Sequence, residues 1–264
     1  MMGFKSINVM EKENRVTNIK VDYLNWDSTF FGLKVGKVDI SLIKNSGELS
    51  ELEESIQQLN YNLIYIFSNI SQMPLLEFKK MMPILVDTQI YLKMKIPLNI
   101  KLLKYELVTN DNISFMNIRI EDLYKISDEI SLFSRFNNDP GISKEKISGL
   151  YREFIDNSLD RSLGKGLIID SDNHGKTIGL ISLDNIDILG KEIVIGVENS
   201  YRGKGSGKRL FNKGLNYWQD NGVKEIETVV SARNLNSLNF HLGLGFNIFK
   251  IYNIYHLWVG SYGS

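Results

Sequence analysis

Residues 202–207 read Arg-Gly-Lys-Gly-Ser-Gly. Glycine at every second position lets a chain turn tightly and bare its N–H groups. At the start of a helix, such donors and the positive helix end face an anion, above all a phosphate. Further on, Asn234, Ser237, His241, Gly245 and Phe246 fall at a spacing that puts Ser237, His241 and Gly245 on one helical face. Histidine there can carry a proton, because its unperturbed pKa of about 6.5 lies near working pH. The surrounding pattern supplies the frame. An apolar run at 192–197 precedes the glycines, a helix-like stretch at 208–218 follows them, and a second strand-like run occupies 224–230.

Spacing separates the phosphate motifs. A Walker loop would need glycine at Arg202 and Ser or Thr at Arg209; a dinucleotide fingerprint would need a third glycine at Lys208. Both fail. Arg202, Gly205 and Gly207 satisfy Arg/Gln-x-x-Gly-x-Gly/Ala, and this resembles the pyrophosphate loop of the GNAT superfamily of N-acetyltransferases. The second segment is similar to that family's Asn-x-x-Ala-x-x-x-Tyr-x-x-x-Gly-Phe signature, with Ser237 for Ala and His241 for Tyr.

The resemblance implies an α/β (α+β) fold whose mixed central sheet splays at the coenzyme A site. It implies acetyl-CoA as co-substrate, held by Arg202, Gly203, Lys204, Gly205, Ser206, Gly207 and Lys208. The backbone edge at Ile195 and Val197 would pair with pantetheine, and Asn234 and Ser237 would lie beside the cofactor. By the same analogy the Val197 N–H is an oxyanion donor and His241 stands where the family's general acid does. Histidine departs from the family's Tyr, so Tyr252, Tyr255 or water remain alternative donors, and a helix histidine without a catalytic task remains open. Gly196 suits a bulge or a close backbone approach, with a sheet glycine tolerated beside a helix as the alternative. Asn234 is a natural helix cap.

The first part of the chain carries a narrower resemblance. Trp26-Asp-Ser-Thr-Phe-Phe-Gly32, Ser134-Arg-Phe136, Asp139-Pro140 and 154–158 resemble dTDP-fucosamine acetyltransferases, which act on the 4-amino group of nucleotide-linked 4-amino-4,6-dideoxy sugars. Those enzymes join a small N-terminal domain to an acetyltransferase domain. Here the division is expected as a smaller α/β domain over 1–105 and the acetyltransferase domain over 106–264, with a linker starting near Pro97 and Asn99. Arg135 could meet a substrate phosphate or a carboxylate. Trp26, Phe30 and Phe31 read as a core or interface cluster, with substrate contact as the alternative. Other expected partners are another small amine or a protein N-terminus, and a CoA-binding module without catalysis is the reading from a different class.

Composition adds boundaries. Lysine and arginine number 31, and aspartate and glutamate 31, so no basic field points to nucleic acid. The absence of cysteine removes a thiol nucleophile and a disulfide framework. Three scattered histidines give no metal-ligand spacing. No apolar run reaches membrane-spanning length, and 1–15 lacks an export pattern, so a cytoplasmic protein is expected. A homodimer is compatible with the sequence. No general base stands out: Glu192, Glu198 and Glu227 read as solvated strand carboxylates, and His174 and His256 as structural or exposed. Helices are expected at 50–59, 118–132 and 143–159, a hairpin over 167–170 and 176–183, and strands at 63–67, 89–96 and 255–259.

Overall fold

The computed structural model describes residues 20–70, 78, 80–97 and 103–260. The leader reading of 1–15 and the linker reading of Asn99 lie outside the described residues. The chain forms two compact units. The first draws on Met1–Ile90, Asn138–Pro140 and Lys250–Ser264, the second on Tyr91–Asn137 and Gly141–Phe249.

In the first unit β1 (Asp22–Tyr23) pairs antiparallel with β2 (Val35–Asp39), and β2 parallel with β3 (Leu63–Asn69). β3 pairs antiparallel with Tyr252–Trp258 of β9 (Asn247–Trp258). Helix α1 (Asn25–Phe31) stacks Trp26 on Phe30, and Phe31 is buried. Helix α2 (Ser46–Gln58) is capped by Asn45, whose side chain accepts from the Glu48 N–H. Its Leu49, Leu52 and Ile56 recur at helical spacing and pack with Ile64 and Ile66 of β3. Strand β4 (Ile84–Lys95) begins in this unit.

In the second unit the strand order is β4-β8-β7-β6-β5. Strands β5 (Gly166–Ser171), β6 (Thr177–Ile186) and β7 (Leu189–Val197) form an antiparallel meander, and β8 (Glu225–Ser231) joins β7 in parallel. The first hairpin falls on the expected residues. At its turn the Asp172 carboxylate accepts the His174 and Lys176 N–H groups, and His174 is exposed. Helix α3 (Ile120–Ser131) buries Leu123 and Ile126 with Leu180 of β6. Helix α4 (Lys144–Leu159) starts at the expected cap, Ser143, which accepts from the Lys146 N–H. Helix α5 (Ser206–Asp220) buries Leu210, Phe211 and Trp218, each such side chain contributing about 1.5–3 kcal/mol. Helix α6 (Leu235–Gly243) follows β8, and the Asn234 side chain accepts from the Ser237 N–H as its cap.

Two features of β7 position the site. Its ladder to β6 shifts register between Ser182 and Leu183, which face Val194 and Glu192, so Ile193 is the extra residue of a β-bulge. Its pairing with β8 ends at Lys191 opposite Glu227, although β7 runs on to Val197 and β8 to Ser231. The expected splay is therefore present. The bulge lies at Ile193, however, and not at Gly196. A Cβ on Gly196 would come 2.5 Å from the Ile130 side chain and 2.9 Å from that of Ile126. The glycine admits helix α3, so of the readings for Gly196 the structure selects the sheet glycine beside a helix and not the bulge.

Candidate active site

The opening between β7 and β8 has a definite polarity. Hydrogen-bonded and non-bonded pairs alternate along an antiparallel ladder. The Glu198 N–H donates to the Ile178 carbonyl at 2.8 Å, which makes Val197 opposite Gly179, and Ile195 opposite Ile181, the non-bonded pairs. The N–H and C=O groups of Ile195 and Val197 therefore point away from β6, to the side where pairing with β8 has stopped.

The glycine turn lies just beyond. Gly203 and Gly205 hold φ of +74° and +86°, and the space beside Gly203 is empty. A side chain at Gly205 would have only the Arg209 guanidinium within 4 Å. The first backbone bond of α5 runs from the Arg209 N–H to the Gly205 carbonyl. Among the described residues, the N–H groups of Gly203 through Lys208 donate no hydrogen bond. Such a run of free donors at a helix start is an anion cradle. Arg209 fixes its shape: the guanidinium donates to the Lys204 carbonyl at 3.2 Å, the Ser206 hydroxyl at 2.7 Å and the Asp170 carboxylate at 2.7 Å. Gly207 has a steric task, because a Cβ there would come 3.2 Å from the Phe240 ring of α6.

Arg202 does not reach outward. Its Nε donates to the Val197 carbonyl at 2.9 Å, and its Nη2 pairs with Glu129 Oε2 at 2.7 Å. Glu198 is also engaged: Lys176 at 2.6 Å, then Lys125 at 2.9 Å, hold its carboxyl below the usual range.

His241 sits at the apex of the opening, 1% exposed. Its Nε2 lies 2.7 Å from Glu192 Oε1, and its Nδ1 lies 2.7 Å from the Ser237 carbonyl and 3.4 Å from the Ser237 hydroxyl. Thr228, one residue past the last β7–β8 pair, donates to Glu192 Oε1 or the Glu192 carbonyl, both at 3.2 Å. Glu192 Oε2 is buried and has no partner among the described residues. Since Nδ1 must donate to a carbonyl, Nε2 can only donate to an ionised Glu192 or accept from a protonated one. The pair thus shares one proton. Burial opposes charging the imidazole, but the Glu192 charge, its hydrogen bond and the Ser237 carbonyl outweigh this, and the pKa of His241 is raised above 6.5. The same carbonyl excludes an activated serine at 237, because Nδ1 is a donor there.

This geometry corrects the reading of Glu192 as a solvated strand carboxylate and narrows that of His241, neither of whose nitrogens is free for another partner. Glu192 and His241 are 49 positions apart, so no local pattern joins them. Glu198, also read as solvated, is buried in its lysine pair, while Glu227 is partly exposed. Arg135 is buried in a single turn of 3-10 helix at Arg135–Asn138, its guanidinium over the Phe136 ring at 4.7 Å. His256 belongs to the first unit, fully buried, with Nδ1 2.5 Å from Asp139 Oδ2 and its ring stacked on Tyr65.

Residues 128–246 match the model of the acetyltransferase (GNAT) family. Over that stretch, a little under half of its length, the chain is similar to that family. Its fold is also that of a GCN5-related N-acetyltransferase from Sphaerobacter thermophilus, 11% identical, with TM-score 0.55 over 84% of this chain and 72% of that one. A conserved protein of unknown function from Staphylococcus epidermidis is similar at 11% identity and TM-score 0.56, over 94% of each chain. No curated protein matches the sequence. The family match and the fold support an N-acetyltransferase, and acetyl-CoA is the co-substrate that GNAT enzymes use. Among the described residues no helix is long and apolar enough to cross a membrane.

Proposed function

We propose that the GNAT domain transfers the acetyl group of acetyl-CoA to the amine of a nucleotide-linked amino sugar of the 4-amino-4,6-dideoxy type. The single observation that carries the cofactor half is the run of unpartnered N–H groups at 203–208 beside the opening between β7 and β8. In this reading those donors take the diphosphate, Asn234 and Ser237 flank the cofactor, and pantetheine lies along Ile195 and Val197. The substrate half rests on the resemblance of the N-terminal segments, with Arg135 assigned to the sugar nucleotide's phosphates.

The chemistry needs no enzyme-bound intermediate. The neutral amine attacks the thioester carbonyl, and the Val197 N–H stabilises the oxyanion, an interaction contributing about 3 kcal/mol. The C–S bond then breaks, the amine nitrogen loses a proton, and the thiolate gains one. The proton that the amine loses balances the one that the thiolate gains. His241 is assigned to the donor's place beside the sulfur, and because Glu192 and the Ser237 carbonyl hold both its nitrogens, water carries the proton to the thiolate.

The test is to mix the protein with acetyl-CoA and dTDP-4-amino-4,6-dideoxy sugars and follow thiol release. Turnover with a sugar of this type supports the reading. No turnover on any of them, with turnover on a peptide amine, rejects the substrate and leaves the acyl chemistry.

A further inference from the structure

Helix α3 touches the end of β7 at successive turns. Lys125 pairs with Glu198, Ile126 and Ile130 close over Gly196, and Glu129 reaches the Asn199–Arg202 segment. The Glu129 carboxylate does two things at once. It accepts the Asn199 N–H at 3.0 Å and grips Arg202 Nη2 at 2.7 Å. The other side of that guanidinium, Nε, holds the Val197 carbonyl at 2.9 Å. A guanidinium is a rigid planar fork, so fixing one edge fixes the direction of the other. The acceptor it holds is one of the few backbone groups of β7 that face the opening.

We infer that Glu129 is a positioning residue for the thioester arm of the cofactor, acting through Arg202 on the Val197–Glu198 peptide. A carbonyl has two lone pairs, so Val197 can accept from Arg202 and still receive an amide N–H of the arm. The fork holds the carbonyl in the strand plane, where that N–H would meet it. Glu129 touches no part of the cradle at 203–208, so its contribution belongs to the arm and not to the phosphates. This inference rests on the proposed placement of pantetheine along Ile195 and Val197.

The test compares two ligands. Acetyl-CoA carries the arm, whereas adenosine 3′,5′-bisphosphate keeps a 5′-phosphate for the cradle and lacks the arm. Glu129→Gln keeps an acceptor for the Asn199 N–H and loses the charge that orients Arg202. Glu129 is 23% exposed on its side chain, so the variant should fold, and its thermal midpoint without ligand checks this. By calorimetry, acetyl-CoA should bind about tenfold more weakly, the effect of losing one charge-assisted contact, with the bisphosphate unchanged. Equal affinity of both proteins for acetyl-CoA overturns the inference, as does an equal loss for both ligands, which would mean a general loosening of the loop. If the native protein binds the bisphosphate but gains nothing from the arm, the placement of pantetheine falls as well.

Discussion

The imidazole Nε2 of His241 lies 2.7 Å from the carboxylate of Glu192, and both side chains are shut away from solvent. Removing one member of such a pair strands the other's polar group in the interior, which costs about 3–5 kcal/mol. His241→Phe should therefore lower the denaturation midpoint sharply. The double variant Glu192→Gln/His241→Phe should lose less than the two single costs added together. Urea unfolding of all four proteins measures this; simple additivity would mean that the two residues do not share a proton.

The pair also sets a pH dependence. The folded-state pKa of His241 is raised above its unfolded value of about 6.5. The stabilisation is then complete below about pH 6.5 and is lost as pH rises through the folded pKa. The native protein should lose stability on going alkaline by more than Glu192→Gln does. Parallel stability–pH curves for the two proteins would contradict the assignment.

Gly205 tests the cradle. Its φ of +86° is one that a β-branched side chain resists by about 1–2 kcal/mol, and the added atoms would project beside the free N–H groups. Gly205→Val should abolish the thermal stabilisation given by acetyl-CoA while leaving a folded protein. Retained stabilisation would remove the turn from the site.

Gly196 tests the packing beneath it. With the Ile130 side chain 2.5 Å from the position of a Cβ, Gly196→Ala should destabilise the protein by about 1–3 kcal/mol. Denaturant melts measure this, and Ile130→Ala in the same chain should restore part of the loss. An alanine variant as stable as the native protein would mean that α3 does not rest on β7 in solution.

How much of this was legible differs from residue to residue. The cradle was readable because its chemistry is local: three glycines, a preceding strand and a following helix lie within one short stretch. The Ser143 and Asn234 caps were readable for the same reason. Glu192 was not, because a carboxylate in a strand is solvated or buried according to its partner, and that partner lies on a helix beyond the next strand. Gly196 could not be settled between a bulge, a backbone approach and a neighbouring helix, because a glycine in a strand reports only that something comes close, and the isoleucines of α3 are remote in sequence. The early start of β7 at Leu189 was hidden by a tight turn in which Asp187 takes a φ of +50°.

The most direct measurement is the amide spectrum of the isotope-labelled protein as coenzyme A is added. The account predicts that the N–H signals of Gly203 through Lys208 move together with those of Ile195 and Val197 and saturate at one ligand per chain. Movement elsewhere with those signals at rest would contradict it.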